Sequence, residues 1–141
     1  MIFTKTKLED VRIIEIEKHE DERGFFARQW DWELFKKEKL NSKIRQCNIS
    51  STIKKGTIRG MHYQKKPFEE VKLVRCTNGK IYHIVIDLRK NSKTYKQWEG
   101  FELSENNFKT LYIPEGFAHG FQALEDYSVI FYQVSQEYSP K

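Results

Sequence analysis

KLVRCTNGKIYHIVIDLR (72–89) consists of two apolar, β-branched runs separated by Asn78-Gly79. Asn-Gly between such runs is the strongest short-range hairpin signal, because these residues tolerate the positive φ that tight turns require. A hairpin is expected here, and runs of the same texture flank it. They are VRIIEIE (11–17), WEGFEL (98–103), KTLYIP (109–114) and SVIFYQVS (128–135). Strands recurring at roughly 8–14 residues predict a sandwich or a closed barrel. One stretch departs from the pattern. WDWELFKKEKL (30–40) places Trp32, Phe35, Lys36 and Leu40 near helical spacing, which predicts a single short helix. No repeat, linker or low-complexity segment divides the 141 residues, so one all-β domain over residues 1–141 is expected. A chain of this length buries roughly two thirds of its unfolded surface, enough to fold without a disulfide or metal.

Composition excludes several classes. Lys+Arg number 25 against Asp+Glu 20, and the basic pairs at 36–37, 54–55 and 65–66 lie near acidic residues, as on a solvated surface. A nucleic-acid face needs a longer basic stripe or a recognisable binding motif, and neither is present. No apolar run approaches the ~18 residues of a membrane span, and MIFTKTKLED lacks a signal peptide's apolar core. Cys47 and Cys76 stand alone rather than in a C-x-x-C pair, which points to a reducing cytoplasm.

Two segments concentrate glycine, rings and polar groups: GTIRGMHYQ (56–64), running on to EEVKLVRCTNG (69–79), and PEGFAHGF (114–121). In order, they resemble the two cupin motifs. Gly56 and His62, then the gap between Lys72 and Gly79, fit the first; Pro114, Gly116 and His119 fit the second. The resemblance implies a cupin-type jelly-roll β-barrel with its site in the barrel mouth. A metal-binding cupin uses H-x-H, a glutamate and the second-motif histidine. Here those places read His62-Tyr63-Gln64 and Lys72. Glutamine is a poor ligand and an ammonium repels a cation, so a metal-free site is expected.

A narrower resemblance emerges from DERGFF (21–26), QCNIS (46–50), GTIRGMHYQ (56–64), IVIDLR (84–89), YIPEGFAHGFQAL (112–124) and FYQVSQEYSP (131–140). Together these resemble the dTDP-4-dehydrorhamnose 3,5-epimerase family over nearly the whole chain. The resemblance implies an isomerase acting without cofactor on a nucleotide-linked 4-keto-6-deoxy sugar, usually as a homodimer. It implies catalytic roles for His62, Lys72 and Tyr132, and substrate binding by Arg23, Phe26, Gln46, Asn48, Arg59, His119 and Tyr138. Two departures stand out. Family members carry a tail beyond the Tyr-Ser-Pro string, with an aspartate for the catalytic histidine and an arginine near the nucleotide; neither has a counterpart in these 141 residues. Arg28 occupies a place where familiar members have a glutamate that accepts a hydrogen bond from the base.

The chemistry suits the residue types. A ketone at sugar carbon 4 acidifies the hydrogens on carbons 3 and 5, because the carbanion delocalises into an enolate. His62 suits the base, with an imidazole poised near neutrality. Lys72 suits the enolate oxygen. Tyr132 suits the opposite-face acid, its pKa expected to be lowered by nearby cations. Arg23 and Arg59 suit phosphate oxygens, Phe26 a stacked pyrimidine, and Gln46, Asn48 and His119 hydrogen bonds to nucleotide or sugar.

Each residue also has a purely structural reading. His19 and His83, outside both motifs, are expected to be structural. Lys72 fits a solvent-facing strand position, Tyr132 barrel packing, and Arg23-Gly24 a turn. Asp87 and Arg89 are expected to form a buried pair, the alternative being that Asp87 orients a site group such as His62. Two other functions fit the same frame: a 3,4-ketoisomerase of a similar sugar nucleotide, and a non-catalytic sugar-nucleotide-binding cupin.

Overall fold

Period-two alternation decides which side chains enter the core, because successive strand residues point to opposite faces. The structure, a computed structural model that describes residues 1–140, has twelve such strands and one helix. In chain order these are β1 (Ile2–Lys5), β2 (Arg12–Glu15), β3 (Lys18–Asp21), β4 (Gly24–Ala27), α1 (Trp32–Lys37), β5 (Gln46–Thr52) and β6 (Ile58–His62). There follow β7 (Lys72–Asn78), β8 (Lys80–Asp87), β9 (Trp98–Ser104), β10 (Thr110–Ile113), β11 (Phe117–Ala123) and β12 (Ser128–Val134). Two sheets, ordered β1-β2-β10-β7-β12-β5 and β6-β11-β8-β9, form the jelly-roll barrel expected from the motifs. Val74 and Cys76 of β7, Ile81 and Val85 of β8, Phe117 and Phe121 of β11 and Ile130 of β12 meet between them. Each fully buried aliphatic side chain there contributes roughly 1.5–3 kcal/mol. The same alternation carries Lys72, His83, His119 and Tyr132 to the inner face, two residues along from those core positions.

The expected helix exists but is shorter, Trp32–Lys37. Asp31 caps it by accepting a hydrogen bond from the Leu34 amide at 3.1 Å. Phe35 is buried against Ile14, Leu73 and Tyr112, on the outer face of the larger sheet, whereas Trp32 is exposed. Lys39, at φ +58°, cannot continue the helix.

The Asn78-Gly79 turn is real, but the hairpin is not. β7 pairs with β10 and β12, and β8 pairs with β11 and β9, so Gly79 is a corner between the two sheets. Its φ is +71°, and a Cβ there would lie 2.8 Å from Ser128 Oγ. The local signal specifies the bend; tertiary pairing decides which sheet each arm joins.

β6 packs on β11 through the closest backbone approach near the mouth. A Cβ on Gly60, whose φ is +119°, would lie 2.7 Å from Gly120 Cα. This contact and the register shift beside it set His62 directly opposite His119. β3 and β4 form a separate two-stranded hairpin with Phe26 exposed. Among the described residues, no helix is long and apolar enough to cross a membrane.

Candidate functional site

Six strands from the two sheets converge on an inner chamber of about 190 Å³. β6 supplies Arg59 and His62, β7 Lys72, β8 His83, β11 His119 and β12 Tyr132; Ser50 of β5 closes one side. The chamber opens into an outer cleft of about 450 Å³ that shares His62, Lys72 and Tyr132 and adds Tyr63, Gln64, Glu70 and Tyr138. The three residues expected to be catalytic therefore face one continuous space. A larger groove of about 510 Å³ shares none of the chamber's residues, and its Arg89 is already bound to Asp10 at 2.7 Å.

His62 is exposed at the edge strand, its ring centroid 6.0 Å from that of His119. Lys72 is mostly buried and lies 5.2 Å above the Tyr132 ring. It is bonded to Glu70 at 2.7 Å, and that carboxylate is only 9% exposed. Sequence reasoning missed Glu70, which sits in a loop with no motif and reveals its role only through the fold. The structure also corrects Tyr132. Its pKa is raised rather than lowered, first by burial and then by the negative charge of Glu70.

His83, expected to be structural, is buried, and it also borders the chamber. It is 1% exposed, its Nε2 lying 3.2 Å from His119 Nδ1. Burial lowers its pKa to about 3, and Lys72 adds to the shift. His119 is lowered well below the usual imidazole value by burial, with His83, Lys72 and His62 contributing. Diagonal placement on β8 and β11 produced this pair, which a lone strand histidine does not announce.

Arg59 donates to Thr52 Oγ1 and to the Ser51 carbonyl, both at 3.0 Å. Asn48 lies directly across from Tyr132 on β5, and Gln46 Oε1 accepts from the Tyr138 amide at 3.3 Å; neither lines the chamber. Gln64 is unexpectedly busy. It donates to the Phe68 carbonyl at 2.7 Å and the Glu137 carbonyl at 3.3 Å, and accepts from the Ser139 amide at 2.8 Å. Arg23 and Phe26 are not brought to the chamber. They lie on the β3–β4 hairpin, where Arg23 pairs with its neighbour Asp21. Arg28 is exposed and 3.4 Å from Asp31.

Asp87 and Arg89 form the expected pair. Asp87 accepts from Arg89 Nη2 at 2.9 Å, Ser92 Oγ at 2.6 Å and Thr94 Oγ1 at 2.7 Å. These bonds hold its pKa down to about 2 despite burial, and they tie it to a structural corner rather than to His62. Among the described residues, no group of three or more His, Cys, Asp or Glu side chains is placed to hold a metal ion.

Residues 5–141 match the family model described as dTDP-4-dehydrorhamnose 3,5-epimerase. The chain belongs to that family. A relative of this name from Methanothermobacter thermautotrophicus is 42% identical, over 99% of this chain and 74% of its own length. The Bacillus anthracis epimerase, solved with TDP and pyrophosphate bound, aligns with a TM-score of 0.94 at 37% identity, over 99% of this chain and 79% of that one. The Legionella pneumophila epimerase, solved with dTDP-4-keto-L-rhamnose, aligns at 0.91 and 33% identity, over 99% and 73%. The chain thus spans about three quarters of the length of these epimerases.

Proposed function

We propose that this chain epimerises a dTDP-linked 4-keto-6-deoxy sugar at carbon 3, carbon 5 or both, without a cofactor. The observation that carries this reading is the convergence of His62, Lys72 and Tyr132, from three strands, on one chamber and its cleft. His62, at the open edge, removes the hydrogen next to the ketone. Lys72 supports the enolate oxygen, and such a fixed charge contributes on the order of 3–4 kcal/mol to the transition state. Tyr132 returns a proton from the other face. Its raised pKa suits that role, since the phenol stays protonated at neutral pH. Glu70 holds Lys72 in place before substrate arrives.

Arg59, His119, Asn48, Gln46 and Tyr138 then contact sugar or nucleotide around the mouth. Arg23 and Phe26 sit away from their own chamber, on an exposed hairpin. We assign them to the nucleotide bound by a second copy, which makes the active unit a homodimer. Mixing inactive Arg23→Ala and His62→Ala proteins then yields some dimers with one intact site, and activity partly returns. No recovery on mixing would remove the shared site. The two free thiols, one exposed and one buried, fit a cytoplasmic protein.

Incubation with a dTDP-linked 4-keto-6-deoxy sugar in deuterium oxide tests the reaction. Label at carbon 3 or 5 with inversion is expected. A 3-keto product would establish the ketoisomerase instead, and binding without label would establish a binding protein.

A further inference from the structure

β5 and β6 are edge strands, one of each sheet, and among the described residues no ladder joins them; β5 pairs with β12 and β6 with β11. At one end of this seam Arg59 of β6 reaches Thr52 and Ser51 of β5. At the other end, beside His62, the crossing is made by the chain that follows β12. Ser135 anchors it there. Its amide donates to the Val71 carbonyl at 3.1 Å, and its Oγ accepts from the Val71 amide at 2.8 Å.

Beyond Ser135 the chain has no strand partner, and two glutamine side chains hold its backbone. Gln46, at the start of β5, accepts from the Tyr138 amide at 3.3 Å. Gln64, two residues past β6, holds it more firmly. Its Nε2 donates to the Glu137 carbonyl at 3.3 Å and to the Phe68 carbonyl at 2.7 Å, and its Oε1 accepts from the Ser139 amide at 2.8 Å. Two carbonyls face the amide's nitrogen and an N–H faces its oxygen, so these partners fix which way the amide points. The exposed Arg45–Glu137 pair, at 4.0 Å, adds little. The segment so held lines the outer cleft together with His62, Lys72 and Tyr132. Tyr138 is 75% exposed, so its ring is placed by its backbone rather than by packing.

We propose that Gln64 is a positioning residue that fastens residues 137–139 across the seam, so that Tyr138 and Ser139 stand ready as a wall of the cleft for the part of the ligand that projects beyond the sugar chamber. The ligand part of this statement rests on the epimerase reading; the clasp does not. A wall ordered in advance spares the ligand the cost of ordering it, which appears in affinity and not in the chemical step.

Gln64→Met keeps the length of the side chain and removes its hydrogen bonds. Amide hydrogen exchange of the ligand-free protein, followed by NMR, reads the clasp. The Ser139 amide is expected to be protected in the wild type and to lose that protection in Gln64→Met, while the Ile130 amide in β12 keeps its own and reports an intact fold. By calorimetry the variant binds dTDP about tenfold more weakly, the worth of one hydrogen bond, whereas deuterium exchange at saturating sugar nucleotide stays within about twofold of wild type. Ser139→Pro removes the same bond from the other side, and the double variant is expected to bind dTDP no more weakly than the weaker single one. An unprotected Ser139 amide in the wild type, protection indifferent to Gln64→Met, or losses that add in the double variant overturn the clasp. Unchanged dTDP affinity with Ser139 deprotected, or a slowed exchange at saturation, overturns the ligand wall. Deuterium label absent from every substrate position in the wild type overturns the epimerase reading and leaves the clasp to be judged by Ser139.

Discussion

β6 and β11 lie side by side and present a histidine each, yet they are opposites. Every residue of β6 is exposed, whereas β11 is buried except at Gln122. His62 and His119 face each other in register, one at an open edge and one inside the wall. Exposure leaves His62 within reach of a ligand in the cleft, as a general base must be. Burial beside His83 and Lys72 holds His119 neutral and suits it to a fixed hydrogen-bonding role. Two identical side chains thus acquire different chemistry from burial and from the groups packed beside them.

The largest effect expected of any substitution is on the open side. His62→Ala should abolish deuterium exchange at both carbons, a loss on the order of 10²–10⁴-fold, while dTDP binding by calorimetry stays close to wild type. Retained exchange would move the base elsewhere and erase the contrast. Tyr132→Phe comes next. It should slow inversion more than exchange, because only the returning proton is lost; equal slowing would place Tyr132 outside the acid role. Glu70→Gln sharpens the comparison on the buried side. Its charge raises the Tyr132 pKa, so removing it should shift that phenol's ultraviolet titration downward, with a change in inversion rate within about tenfold. The smallest catalytic effect belongs to Asp87→Asn, which should leave exchange intact. Asp87 titrates at about 2 in the fold against an ordinary 3.8, so its stabilisation is present above that ordinary value and fades as pH falls toward 2. The contribution is about 2 kcal/mol, and acid-unfolding curves of the variant should lose that portion of their pH dependence.

Much of this was legible in the sequence, for identifiable reasons. His62, Lys72 and His119 fall at fixed spacings from glycines, and spacing survives as position when strands keep period two. Asp87 and Arg89 are two residues apart, so their pairing is a local property. The strand runs announced themselves by composition, and Phe35 by helical spacing. What escaped depends on which segments become neighbours. His83 reaches His119 only because β8 pairs with β11, and Glu70 reaches Lys72 and Tyr132 only after its loop folds back. The Tyr132 shift was expected in the wrong direction because the cation was visible in the sequence, whereas the burial of the phenol and the charge of Glu70 were not. Asn78-Gly79 specified a bend without specifying that its two arms part company. Arg23 and Phe26 were assigned by resemblance, and the fold sets them apart from the chamber their motif suggested.

Gly79 has a mechanical consequence. Because one residue joins β7 to β8, Lys72 and His83 ride on a single ribbon that crosses from one wall of the barrel to the other. The two walls are tied there by a single residue, so the spacing of ammonium and imidazole across the mouth is anchored at that corner by the peptide chain itself.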